Sequence, residues 1–94
     1  MTQLQAPTHR INRWADLGPA RQAGIRCKDV MFRAYLAEAL CFPVKDEASA
    51  AQCVRDICGV ASRADLSRPG RIEERAIWRD LDREFQAWKV LENA

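Results

Sequence analysis

The residues whose types and spacing could do chemistry form a basic run beside a tryptophan near the N-terminus. Arginine and lysine side chains bind phosphate and carboxylate groups, and a tryptophan ring can stack on an unpaired base. This pattern predicts contact with nucleic acid or with an acidic protein surface. It equally fits a solvated tail whose tryptophan packs on the folded body. The predicted binding residues are Arg10, Arg13, Trp14, Arg21, Arg26, Lys28 and Arg33.

Charge is divided unevenly along the chain. Residues 1–33 hold six basic groups against two acidic ones, whereas residues 34–94 hold nine against eleven. The net charge of +2 is too small to define a partner by itself. Direct nucleic-acid binding through the basic N-terminal segment is therefore the second hypothesis, behind binding to a protein partner.

The residue types that catalysis and metal binding need are scarce. His9 is the only histidine, and the sequence has no Gly-rich phosphate loop and no nucleophile elbow. The cysteines lack the close paired spacing of zinc sites, so we expect small core or boundary thiols, with no metal and no cofactor. We predict that the protein is not an enzyme. The cysteines are Cys27, Cys41, Cys53 and Cys58.

Acidic residues gather near the C-terminal end of the chain, where they could suggest paired carboxylates. They alternate with arginines, a pattern typical of a solvated helix face, and we predict that they are exposed. These acidic residues are Glu73, Glu74, Asp80, Asp82 and Glu84.

The elements that must position these residues are helices. Asp16 is expected to cap a first short helix with Pro19 in its first turn, and Gly24 weakens that helix. Ser62 and Asp65 predict a capping box that opens another short turn. Apolar residues recur with the helical period in three longer segments, which predict main helices near 29–41, 47–58 and 71–92.

The fold class that follows is all-α: a compact bundle of three main helices plus one or two short ones. The long C-terminal helix is its predicted spine, because it carries the largest apolar side chains. Residues 1–13 are predicted to be a flexible tail and residues 14–94 a single helical domain. With neither a signal peptide nor a membrane span expected, the predicted location is cytoplasmic. The predicted apolar stripe is Ile77, Trp78, Leu81, Phe85 and Trp88, of which Trp88 is also a candidate partner contact.

Three segments carry a resemblance to a known class of proteins. They are residues 23–36, residues 54–66 with their Cys-Gly-Val-Ala-Ser-Arg-Ala-Asp-Leu motif, and the terminal helix with its Trp, Phe and Trp. Over roughly residues 20–90 the sequence resembles small helical phage and prophage proteins of GC-rich bacteria. The resemblance implies an accessory protein that binds nucleic-acid processing or defence machinery of host or virus. An inhibitor of a CRISPR effector or of a recombination nuclease is one such protein.

Overall fold

The computed structural model describes residues 13–94, which contain four α-helices and no strand. The predicted flexible tail lies outside the described residues except for Arg13. Two short 3₁₀ elements accompany the helices: the N-terminal 3₁₀ turn, Trp14–Asp16, and the central 3₁₀ segment, Arg63–Ser67. The predicted all-α bundle is confirmed. Its helices are α1 (Pro19–Lys28), α2 (Val30–Leu40), α3 (Glu47–Cys58) and α4 (Ile72–Glu92).

Local signals define the ends of the two middle helices, which lie within one residue of the predicted bounds 29–41 and 47–58. The Asp29 carboxylate accepts a hydrogen bond from the Met31 backbone N–H at 2.8 Å and caps α2. Asp46 does the same for α3, accepting from the Ser49 N–H at 2.8 Å. Gly59 ends α3 in the left-handed conformation, with a φ of 75° that glycine adopts without strain.

The predicted cap of α1 is wrong. Asp16 belongs to the N-terminal 3₁₀ turn, and extended backbone at Leu17 and Gly18 separates its carboxylate from the helix. The cap comes instead from the central 3₁₀ segment, where the Ser67 hydroxyl accepts a hydrogen bond from the Ala20 N–H at 3.1 Å. α1 runs without interruption through Gly24.

The core is built on aromatic rings from α2 and α4. Phe32, Trp78 and Phe85 are fully buried, and the Phe32 and Phe85 rings meet edge to face with centroids 5.1 Å apart. α4 packs against all three other helices, as expected of a spine. Ile77 was predicted in its buried stripe but is 40% exposed, since it lies about 100° around the helix from Trp78.

Three of the four cysteines are buried thiols, as predicted: Cys27, Cys53 and Cys58. Burial raises the pKa of all three, and that of Cys58 reaches about 11. Cys41 is exposed instead, because it follows the last turn of α2 in the left-handed conformation. Within residues 13–94, no cluster of metal-ligating side chains occurs, and none of the helices is long and apolar enough to cross a membrane.

Candidate functional site

Arg26 is not the surface cation that the sequence predicts. It lies on the face of α1 that carries the buried Ala23 and Cys27, and only 8% of Arg26 is exposed. Its Nε donates to Asp82 Oδ1 at 2.6 Å across the interface with α4. Asp82 is also 8% exposed, so the prediction that it belongs to a solvated face is wrong too.

Trp14 packs on the folded body, which is the second of the two interpretations that the sequence leaves open. Its indole Nε1 donates to Asp82 Oδ2 at 3.1 Å, and the Arg26 guanidinium carbon lies 4.0 Å from the centroid of its ring. Gln22 donates to the Trp14 carbonyl oxygen at 2.9 Å. These contacts form the Trp14 anchor, which consists of Trp14, Gln22, Arg26 and Asp82.

Trp14→Ala is expected to lower the free energy of unfolding by about 1–3 kcal/mol, because it removes apolar burial, a cation–π contact and a hydrogen bond. The measurement is thermal and urea denaturation followed by circular dichroism. Arg13→Ala, at the exposed neighbouring position, is the control and should leave stability unchanged. Unchanged stability together with weaker binding to single-stranded DNA would assign Trp14 to a binding surface instead.

Trp88 closes the outer end of the aromatic core. It is half-buried, its ring centroid lies 5.7 Å from that of Tyr35, and its Nε1 donates to Glu38 Oε2 at 3.1 Å. Glu84 faces the same cluster, and burial together with the Glu84 carboxylate raises the pKa of Tyr35. These contacts tie α2 to α4, and a partner contact at Trp88 stays a prediction.

The other predicted cations separate into three groups. Arg10 lies outside the described residues, and Arg13 is exposed beside the N-terminal 3₁₀ turn. Arg33 is on α2 near Asp46, where hydrogen bonds from Ser49 and, to a smaller extent, the charge of Arg33 lower the pKa of the Asp46 carboxyl. The third group, Arg21 and Lys28, lies exposed on α1.

A basic groove contains Arg21 and Lys28. It runs between α1, α3 and the central 3₁₀ segment as two adjoining hollows of about 460 and 300 Å³. Both hollows include Arg21, Gly24 and Arg63 in their lining. Among the described residues, Glu47 is the one acidic residue in its lining, and its cations are Arg21, Lys28, Arg55 and Arg63.

Arg55 and Arg63 are the site residues that sequence reasoning missed. Gly59 reverses the chain after α3, and the capping box then fixes the start of the central 3₁₀ segment. In that box Ser62 accepts from the Ala64 N–H, and the carboxylate of Asp65 accepts from the Ser62 N–H. The available signal was one arginine on each side of Gly59, a residue type that commonly ends helices.

The groove cations differ from half of the other described arginines, which form salt bridges with carboxylates. Within the described residues no carboxylate forms a salt bridge with any of the four. Arg55 donates to the Gln52 amide oxygen at 2.7 Å, and the buried Arg63 Nη1 has no oxygen or nitrogen acceptor in the part of the chain that the structure describes. The arginines that do pair with carboxylates are Arg26, Arg68, Arg71 and Arg83.

A separate hollow, outside the basic groove and of about 320 Å³, lies beside the Trp14 anchor. It is lined by Arg79 and Arg83 together with the carboxylate of Asp82, so its charges are mixed. Asp82 is already bonded to Trp14 and Arg26, and Arg83 pairs with Asp80. This hollow therefore offers an anionic ligand fewer unpaired positive charges than the basic groove does.

Comparison of the chain with protein-family models, with curated proteins and with solved structures finds no match. The fold and the site themselves define the class: an all-α bundle with a basic groove on one side. What that groove can do chemically is bind anions, because guanidinium and ammonium groups offer hydrogen-bond donors and positive charge.

Proposed function

We propose that this protein is a non-enzymatic binding protein whose basic groove docks on an acidic surface of a partner protein. The observation that carries the proposal is the convergence of four cations from three elements on one groove, with no salt-bridged carboxylate among the described residues. Burial of such charges against a complementary surface gives specificity and fast association. The groove cations are Arg21, Lys28, Arg55 and Arg63.

The groove's chemistry favours binding over catalysis. Guanidinium groups stay protonated at neutral pH, so they donate hydrogen bonds and do not exchange protons with a substrate. The resemblance to phage and prophage accessory proteins supplies the partner class: a protein of nucleic-acid processing or defence in the bacterial cytoplasm. An inhibitor of a CRISPR effector or of a recombination nuclease fits this description.

Direct nucleic-acid binding is the alternative, but the structure changes which of the predicted residues are free to take part in it. Arg26 is engaged with Asp82, and Trp14 packs on the bundle, so two of its predicted contacts are occupied. Arg21 and Lys28 remain exposed and could contact phosphates from the basic groove. Binding to DNA would then fall steeply with salt, with a log–log slope of about −0.7 to −0.9 per phosphate contact.

The double variant Arg21→Glu/Lys28→Glu tests the proposed function. The partner is first captured from a bacterial lysate, identified by mass spectrometry and purified. We expect the double variant to bind the purified partner at least about 100-fold more weakly, because hydrogen bonds to charged groups contribute about 1.5–3 kcal/mol each. Binding is measured by calorimetry, and circular dichroism checks that the helices are intact.

The matched control is Arg79→Glu/Arg83→Glu, which makes the same change in charge at exposed positions of α4. It should bind the partner as the wild type does. Equal losses in both variants would show that only net charge matters and would contradict the proposal. A shift of naked DNA at physiological salt, with no protein captured, would favour the alternative.

A further inference from the structure

Gly24 lies in the interior of α1, where glycine destabilises a helix relative to alanine. At the three other glycine positions, the local structure explains why glycine is present. A Cβ at Gly18 would lie 3.3 Å from Ser67 Oγ, and Gly59 and Gly70 have positive φ angles. A Cβ at Gly24 would meet no heavy atom within 4 Å. Neither packing nor backbone conformation among the described residues therefore requires glycine there.

The position of Gly24 in the basic groove supplies a reason for a glycine there. It lines both hollows, with Arg21 one turn before it and Lys28 one turn after it on the same side of α1. A helix residue without a side chain lets another chain approach the backbone closely. The open surface at Gly24 is thus flanked by two exposed cations.

Arg63 faces this surface from the central 3₁₀ segment. Among the described residues its buried Nη1 has no oxygen or nitrogen acceptor, and only the Cys27 thiol lies beside it. The neighbouring Cys27 is a weak acceptor: burial raises its pKa, and the adjacent Arg63 lowers it by less, so the thiol stays protonated. Arg63 also lines both hollows, so an anion in the groove can pair with its positive charge.

We infer that the basic groove binds an extended acidic peptide segment of the partner protein, with the peptide backbone lying against α1 at Gly24. A carboxylate of the segment pairs with Arg63 and Arg21, and the rest of the segment continues toward Lys28. This inference rests on the proposed function and names the chemistry that the groove recognises.

A peptide fits the groove better than a nucleic-acid strand does. Among residues 13–94 no aromatic ring lines the two hollows, so these residues offer bases nothing to stack on. The Glu47 carboxylate at one end opposes a continuous row of phosphates. Ile25, which is 45% exposed and lines the same hollow, offers an apolar contact that a peptide side chain can use.

Gly24→Ala tests the inference with two effects of opposite sign. The probe is a short fluorescein-labelled peptide of alternating glutamate and alanine, and its binding is measured by fluorescence anisotropy. The added methyl group stands where the peptide backbone lies, so affinity should fall by roughly tenfold or more. The melting temperature should rise by about 2–8 °C, because alanine is the better helix former. A misfolded variant would instead lose affinity and also melt at a lower temperature.

Gln86→Ala, at an exposed position of α4, is the control and should leave peptide affinity unchanged. Unchanged affinity in Gly24→Ala would overturn the inference, as would tighter binding of oligothymidylate than of the peptide, or occupation of the groove by a second copy of the chain. If the wild type fails to bind the peptide while Arg21→Glu/Lys28→Glu still loses the captured partner, the peptide inference fails and the proposed function stands.

Discussion

Replacing Asp82 by alanine is expected to lower the free energy of unfolding by about 3–5 kcal/mol, because it leaves a buried charge without its partner. Arg26 Nε lies 2.6 Å from Asp82 Oδ1 and has no other carboxylate among the described residues. The indole N–H of Trp14 loses its acceptor in the same variant. Urea denaturation of the wild type and the variant at neutral pH measures the difference in their free energies of unfolding.

The double variant Arg26→Met/Asp82→Leu separates the cost of an unpaired charge from that of lost packing. Replacing a buried ion pair with apolar residues of similar volume is often neutral or stabilising, so we expect it to recover most of the lost stability. Asp80→Ala removes an exposed carboxylate of α4 as the matched control, with an expected change within about 0.5 kcal/mol. A loss in Asp82→Ala no larger than in this control would contradict the buried ion pair.

Phe85→Ala is the second variant with a large expected effect, also about 3–5 kcal/mol, since it opens a cavity in the aromatic core. Phe85 is fully buried, and its ring lies within 6.3 Å, centroid to centroid, of Phe32, Tyr35 and Trp88. Thermal unfolding followed by circular dichroism is the measurement, at roughly 4–8 °C per kcal/mol for a domain of this size.

Ile77→Ala is the control for Phe85→Ala on the same helix. Ile77 is a large apolar residue that the sequence places in the buried stripe, but its side chain is partly exposed. Its truncation should cost under about 1.5 kcal/mol, because little surface returns to water. Similar losses in the two variants would contradict the burial pattern of α4.

Sequence reasoning succeeds where a helix depends on its neighbours along the chain. Asp29 and Asp46 act on backbone groups two or three residues away, and Gly59 needs only its own φ angle. These local signals, with the apolar period, are enough to predict the helices and the all-α class. The period failed at Ile77, because which edge of a stripe is covered depends on the neighbouring helices.

The candidate site depends on residues that are distant in sequence, and there the prediction was partial. Arg21 and Lys28, predicted as binding residues, are exposed on the polar side of α1, and their binding role stays a prediction. The prediction that Arg26 is a binding cation was wrong, because its partner Asp82 comes from α4 and no local pattern pairs the two. Its neighbours Ala23 and Cys27 did indicate the buried face. Arg55 and Arg63 enter the groove only once the chain reversal at Gly59 is formed.

The serine that caps α1 has a consequence for synthesis of the chain. Ser67 lies 47 residues after Ala20, the residue whose backbone N–H it accepts, and Asp82 lies 56 residues after Arg26. As the chain leaves the ribosome, the first helix emerges long before the residues that complete its N-terminus and neutralise its buried arginine. The native contacts of α1 therefore cannot all form until the central 3₁₀ segment and α4 have been made, and the groove beside α1 is completed only then.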